Sequence, residues 1–177
     1  QYRFDNYDRI AGKTQTNRAI TTLGGSQPNL TLSYGYSTGG KLASITLPSN
    51  RVINYVYDTT KKGQLIGVNL LNTPIISSIG YNLGGQLTSW NWGNTAAQYV
   101  IGYDASKNSA IKTITAKNAS GAVVYSLNYG FDSDARITAL NRNNGLNDTY
   151  GYDNVSRLTS EVRKNGTADV FGITYTY

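Results

Sequence analysis

The 177-residue chain has no cysteine, no histidine, no methionine, three prolines and only 15% charged residues. Without cysteine there is no disulfide framework and no thiol nucleophile. Without histidine the commonest general base is missing. The S-x-x-K spacing of a Ser-Lys device occurs once, at Ser109-Ala110-Ile111-Lys112, where it reads as the end of a turn and the start of a strand-like run; Ser106 and Lys107 are adjacent. The ten acids are spread about one per turn, and close pairs such as Asp5 with Asp8 or Asp132 with Asp134 read as turn residues, not as the facing carboxylates of a glycosidase. No phosphate loop and no cluster with metal-ligand spacing appears. No stretch approaches the roughly 20 apolar residues of a membrane helix, and no signal peptide is visible. The net charge of +6 is scattered, with short pairs only at Lys61-Lys62 and Arg163-Lys164; a nucleic-acid binder gathers its cations into a run or onto one face. These absences predict no catalysis, no cofactor, no metal, no nucleic-acid partner and no membrane insertion.

What the chain does contain is a repeat. An aromatic, a spacer, a second aromatic and usually Asp are followed by a turn, then a basic residue before Leu or Ile. The second aromatics are Phe4, Tyr36, Tyr57, Tyr81, Tyr103, Phe131, Tyr152 and Tyr177, in steps of 32, 21, 24, 22, 28, 21 and 25 residues. A near-fixed period in this range marks a repeat architecture, in which each unit contacts mainly its neighbours. The reading is a single array over 1–177 of about seven repeats, with a truncated eighth at 175–177. The chain lacks Met and opens and closes inside repeats, so it is expected to be an excerpt of something longer.

Aromatic-x-aromatic places two rings on one face of a strand. The spacer is Gly in five copies (35, 80, 102, 130, 151), which predicts close approach there, for instance by a neighbouring ring. Asp, Asn or Ser can cap the following turn and Gly supplies positive φ within it. The turns at 58–64 and 104–110 carry two extra residues. The second strand opens on Leu or Ile with an apolar residue three places on in several copies, as in Leu42/Ile45 and Ile137/Leu140; this spacing breaks alternation and predicts a recurrent β-bulge or twist. Asn144-Gly145 and Asn165-Gly166 are hairpin signals. The longest linker, roughly 14–29, accounts for the first step of 32. Seven units of two strands give about fourteen antiparallel strands, in one continuous coiled sheet whose ends are unpaired edges.

The series Y-x-Y-D, turn, R-L or R-I resembles the YD repeat of the RHS family, and the resemblance covers essentially the whole chain. It implies an all-β ribbon of hairpin repeats wound into a hollow shell. Such shells enclose a toxic cargo in bacterial RHS and insecticidal toxins, and related ones occur in teneurins. The family's shells often end in a self-cleaving core marked by D-P-x-G. No Asp-Pro occurs here, so that protease is not carried over.

The repeat signature comprises Phe4, Asp5, Arg9, Tyr36, Lys41, Tyr57, Asp58, Tyr81, Gln86, Tyr103, Asp104, Phe131, Asp132, Arg136, Tyr152, Asp153 and Arg157. Asp5/Arg9, Asp132/Arg136 and Asp153/Arg157 lie four apart across one turn, and Asp58 has Lys62 at the same distance; the expectation is a local pair bracing the turn. The expected function is structural and non-enzymatic: the wall of a secreted or cell-surface bacterial shell around a toxin or other cargo. Two alternatives stand beside it. One is a filament built head to tail, its assembly edges being Tyr2 and Phe4 at one end and Tyr175 and Tyr177 at the other. The other is a glycan-binding module using Trp90 and Trp92. The partners are correspondingly the rest of a longer chain or identical subunits, an enclosed cargo, or glycans. Sequons at Asn29, Asn118, Asn147, Asn154 and Asn165 matter only in a glycosylating host.

Overall fold

The computed structural model describes residues 1–15, 29–60 and 63–177. Most of the 14–29 linker, and Lys61 and Lys62, lie outside the described residues. The chain divides into two compact units, Gln1–Ser78 and Ile79–Tyr177. The first holds β1 (Tyr2–Phe4), β2 (Ile10–Gln15), β3 (Leu30–Tyr36), β4 (Leu42–Thr46), β5 (Val52–Tyr57), β6 (Leu65–Leu70) and most of β7 (Thr73–Tyr81). The second holds the end of β7, then β8 (Leu87–Trp92), β9 (Gln98–Asp104), β10 (Ala110–Lys117) and β11 (Val123–Phe131). It continues with β12 (Ile137–Arg142), β13 (Leu146–Tyr152), β14 (Leu158–Asn165) and β15 (Ala168–Thr174). Sheet order is chain order, so the fold is an antiparallel meander, and β1 and β15 each keep an open edge. A 3-10 turn, Ala105–Lys107, sits in the long turn after Asp104.

The strands alternate between two kinds. Odd-numbered strands β1 to β13 end in the paired rings or Ile-Gly-Tyr, and even ones open on Leu, Ile or, at β10, Ala-Ile. A bulge recurs at the same place in six of the hairpins that follow the paired rings. In β3–β4, Tyr36 faces Leu42 but Gly35 faces Ser44, so Ala43 is the extra residue. The same slip leaves Ala11, Ile66, Lys112, Thr138 and Thr159 unopposed. It follows that Tyr34 faces Ile45 while Tyr36 faces Leu42. The bulge thus converts a spacing of three into one face, and the rings stand opposite the aliphatic pair.

The spacer glycine is explained differently from the sequence expectation. What approaches it is a small side chain on the partner strand, not a ring. A Cβ on Gly151 would lie 2.5 Å from Ser160 Oγ, one on Gly80 2.8 Å from Ser89 Oγ, and one on Gly130 3.0 Å from the Ala139 Cβ. Gly35 and Gly102 meet the Ser44 and Thr113 hydroxyls in the same way. In the two copies whose spacer is not glycine, the glycine has moved across: Arg3 faces Gly12 and Val56 faces Gly67. Each such cross-strand pair therefore contains one glycine: a spacer glycine leaves room for the partner side chain, whereas a Cβ on Gly12 or Gly67 would first meet the carbonyl of Leu32 or Ile76 on the next strand, 3.3 Å away.

Among the described residues no layer packs over the sheet within either unit. Among the described residues Val68 is the one large apolar side chain that is buried, and Asp148 the one buried polar one. Most strand residues are half-buried by their neighbours along the row. Cohesion therefore comes from the ladder and from cross-strand contacts, and the turns carry an unusual share of the specific ones.

Candidate functional site

Five of the turns after the paired rings share one geometry. In the first, the Asp5 N–H donates to the Arg9 carbonyl (2.9 Å) and the Asp8 N–H to the Asp5 carbonyl (3.1 Å). The same two bonds close Ser37–Lys41, Asn82–Gln86, Asp132–Arg136 and Asp153–Arg157. The fourth residue adopts positive φ each time: Asp8, Gly40, Gly85, Ala135 and Ser156. This is a type I turn followed by a left-handed residue, the common three-residue hairpin loop.

The first side chain holds this loop together. Asp5 Oδ1 accepts from the N–H groups of Tyr7 and Arg9, and its Oδ2 accepts from Arg9 Nε at 2.8 Å. Asp132 with Asp134 and Arg136, and Asp153 with Val155 and Arg157, repeat the arrangement with Nε–Oδ2 distances of 2.7 Å. Neutral versions keep part of it: Asn82 Nδ2 donates to Gln86 Oε1 (2.8 Å), and Ser37 Oγ accepts from the Lys41 N–H (3.2 Å). The Arg9 guanidinium, ahead of the backbone N–H groups, holds the Asp5 carboxyl below its usual range. At Asp132 burial pushes the other way, but the Arg136 N–H and guanidinium prevail and the carboxyl is likewise lowered. In the longer turns Asp58 and Asp104 accept instead from the N–H and hydroxyl of Thr60 and Ser106.

The basic residue also reaches forward into the next repeat. Arg9 lies 4.2 Å from the ring centre of Tyr36, Lys41 5.1 Å from Tyr57, Arg136 5.0 Å from Tyr152 and Arg157 4.5 Å from Tyr177. Each of those tyrosines answers. The Tyr36 hydroxyl donates to the Ile10 carbonyl, Tyr57 to Leu42, Tyr103 to Leu87, Tyr152 to Ile137 and Tyr177 to Leu158, at 2.7–2.9 Å. The acceptor in every case is the residue just after the basic position. The cation touches the next turn as well: Lys41 Nζ donates to the Gly63 carbonyl, and Arg136 to the Asp153 carbonyl (3.3 Å) and Ser156 Oγ (3.1 Å). So a pair expected to brace one turn is a joint between two. The copy with Ala110 at the basic position is followed by Phe131, which has no hydroxyl. There Lys107 donates to the Asp132 carbonyl, and Lys112 stands 5.7 Å from the Phe131 ring.

A second polar cluster was not anticipated. Asp148 on β13 is 1% exposed. It accepts from Arg142 of β12 at 2.6 Å and from Arg163 of β14 at 2.7 and 3.3 Å. The Arg163 hydrogen bond first, and Arg142 after it, overcome burial and hold the carboxyl at about 2. Asp148 stands on the same strand face as Tyr150 and Tyr152. Beside it a cavity of about 260 Å³ is lined by Tyr129, Ile137, Leu140, Tyr150, Tyr152 and Leu158. The sequence signal was a charge at a position where the paired-ring face is otherwise apolar.

Trp90 and Trp92 share one face of β8, with ring centres 5.9 Å apart and edge to face. One face of Trp90 is stacked on Tyr99 at 4.2 Å, and its Nε1 is buried. Trp92 is half exposed. At the edges, Tyr2, Phe4 and Tyr177 are exposed, but Tyr177 is already engaged by Arg157 and Leu158. The described residues contain no group of three or more His, Cys, Asp or Glu that could hold a metal. Among them no helix is long and apolar enough to cross a membrane.

The strand meander, the recurrent bulge and the row of turns can be set against solved structures. The Tc holotoxin pore of Photorhabdus luminescens matches with a TM-score of 0.65 at 21% identity, over 76% of this chain and 7% of that one. A TcdB2-TccC3-Cdc42 structure matches with a TM-score of 0.73 at 17% identity, over 90% of this chain and 9% of that one. TcdB2-TccC3-TEV gives 0.66 at 19%, over 76% and 7%. The shared property is the fold. With each of these Tc toxin chains the meander here shares an antiparallel β-ribbon. The chain spans less than a tenth of the length of the Tc chains it matches. No family model matches the sequence, and no curated protein does either.

Proposed function

We propose that this YD-type ribbon is a structural, non-enzymatic piece of wall in an RHS-type shell of a secreted or cell-surface bacterial protein, enclosing a toxin or other cargo. The observation that carries the reading is the row of forward joints, cation onto ring and hydroxyl back onto carbonyl. In a fold shared with Tc toxin chains, such joints link successive hairpins with no layer packed over them among the described residues. The missing histidine and cysteine agree with a wall that does no chemistry. Electron microscopy of the native material, with the mass of the intact chain, tests the reading. Discrete hollow particles from a longer chain are the expected result; turnover of a substrate abolished by a point substitution would refute the non-enzymatic part.

A second reading is favoured by one feature. Every residue of β15 is exposed, including Val170, Phe171 and Ile173, and an open apolar edge invites strand pairing. Head-to-tail addition of copies would then build a filament. Fibres with a regular axial rise in the same images would select it.

A further inference from the structure

We propose that the turn at 37–41 binds a carboxylate brought by another molecule, which takes the place that the turn's own aspartate holds at Asp5, Asp132 and Asp153. The inference goes beyond the wall reading and holds for a shell or a filament alike.

The first ground is the comparison between copies within the chain. Where the turn opens on Asp, one carboxylate oxygen collects two backbone N–H groups. They come from Tyr7 and Arg9 at Asp5, Asp134 and Arg136 at Asp132, and Val155 and Arg157 at Asp153. Such a turn is a concave nest of N–H donors that suits an anion, and in these copies it holds its own. The turn at 37–41 has the same two closing bonds and the same left-handed fourth residue, Gly40. It opens on Ser37, whose side chain is shorter and uncharged. Ser37 Oγ accepts from the Lys41 N–H at 3.2 Å. The Gly39 N–H, counterpart of the Tyr7 and Val155 donors, has no partner among the described residues.

The second ground is space and charge. A cavity of about 720 Å³ is lined by residues 37–40 together with Tyr7, Arg9 and Tyr36. Arg9 Nε and Nη2 are spent on Asp5 Oδ2 at 2.8 and 2.7 Å. Its Nη1 lies 3.6 Å from where a Cβ on Gly40 would stand and has no partner among the described residues. In the later copy Arg136 Nη1 donates to Ser156 Oγ at 3.1 Å. Gly40 stands in the place of Ser156 and has no hydroxyl to offer. Lys41 donates to the Gly63 carbonyl, but no carboxylate lies within ion-pair distance of it among the described residues, whereas Arg9, Arg136 and Arg157 each have one. Donors on cations pair most strongly with an ionised acceptor.

The third ground is that the other neutral turn is closed by its own side chains. At 82–86, Asn82 Oδ1 accepts from the Gln86 N–H (2.9 Å) and Nδ2 donates to Gln86 Oε1 (2.8 Å). The copy before it supplies Gln64 at the basic position, not a cation. The nest, the space and the spare cationic donors therefore coincide at 37–41 and not at 82–86.

Titration of the 177-residue chain with sodium acetate tests this, with ionic strength held constant by sodium chloride and backbone amides followed by NMR. Saturable shifts of Gly39, Gly40 and Lys41 are expected, with the amides of 82–86 and 132–136 unmoved. Ser37→Asp supplies the carboxylate from within and should weaken acetate binding about tenfold or more. Gly40→Ser offers Arg9 the hydroxyl that Ser156 offers Arg136 and should weaken it to a smaller degree. Both substitutions copy turns already present in the chain, so both variants should keep the parent spectrum away from 37–41. A blocked Gly-Asp-Gly peptide that binds more tightly than acetate would assign the carboxylate to an acidic polypeptide, and equal affinity would assign it to a small acid. Absence of saturable shifts, undiminished binding by Ser37→Asp, or tighter binding of inorganic phosphate than of acetate would overturn the proposal. Because the assembly reading is tested by imaging and this one by titration, either can fail alone.

Discussion

At the scale of single residues, two positions hold the sheet to one register. Gly130 faces Ala139 across the bulge, where a Cβ on the glycine would stand 3.0 Å from the alanine Cβ. Gly130→Ala should cost about 1–3 kcal/mol through overpacking. The double change Gly130→Ala with Ala139→Gly should recover most of that loss in thermal unfolding; a double variant no more stable than the single one would remove the one-glycine rule. Asp148 acts through charge. Its carboxyl is held at about 2 in the folded chain, against about 4 when unfolded. A lowered folded value means that the ionised group stabilises the fold fully above about pH 4. That contribution, about 2 kcal/mol, is lost as the pH falls through about 2. Asp148→Asn should therefore be less stable than the parent at neutral pH, with the gap narrowing between pH 4 and 2 in denaturant titrations. A gap independent of pH would mean the cluster works by shape alone.

At the scale of the hairpin, the joint between repeats is the element to test. Tyr152→Phe removes one hydroxyl bond to the Ile137 carbonyl (2.8 Å) and should cost about 1 kcal/mol. Arg136→Ala should speed amide exchange in both turns it touches, 132–136 and 153–157, whereas a brace confined to one turn would loosen only the first. Much of this element was legible. Leu42 and Ile45 three apart announced the bulge, and Asp132 with Arg136 announced the closed turn. The forward reach was not legible, because its two halves lie in different copies and no local spacing connects Arg136 with Tyr152. The trace it leaves is a covariation: Ala110, which cannot reach across, precedes Phe131, which cannot answer. The glycine exchange between strands was hidden for the same reason, since Gly12 and Gly67 look ordinary until their partners Arg3 and Val56 are known. Asp148 gave no signal at all beyond its charge, because Arg142 and Arg163 meet it only once three strands are in register.

At the scale of the whole chain, cohesion between neighbours implies that damage stays local. Asp148→Asn should raise amide exchange in β12, β13 and β14 and leave β3 and β4 unchanged; a uniform rise would instead indicate one cooperative unit. The joints have a further property, which is direction. Each cation belongs to the earlier repeat and each ring that receives it to the later one, from Arg9 and Tyr36 through Arg157 and Tyr177. A polypeptide leaving the ribosome presents its earlier repeats first. Tyr36, Tyr152 and Tyr177 would then arrive at a carbonyl and a guanidinium already fixed by a finished turn, while a repeat folding ahead of its predecessor would have nowhere to place its hydroxyl. The ribbon is in this sense a template that copies itself forward. Pulse-labelled refolding should show protection advancing from the N-terminal hairpins, and simultaneous protection of all hairpins would deny it.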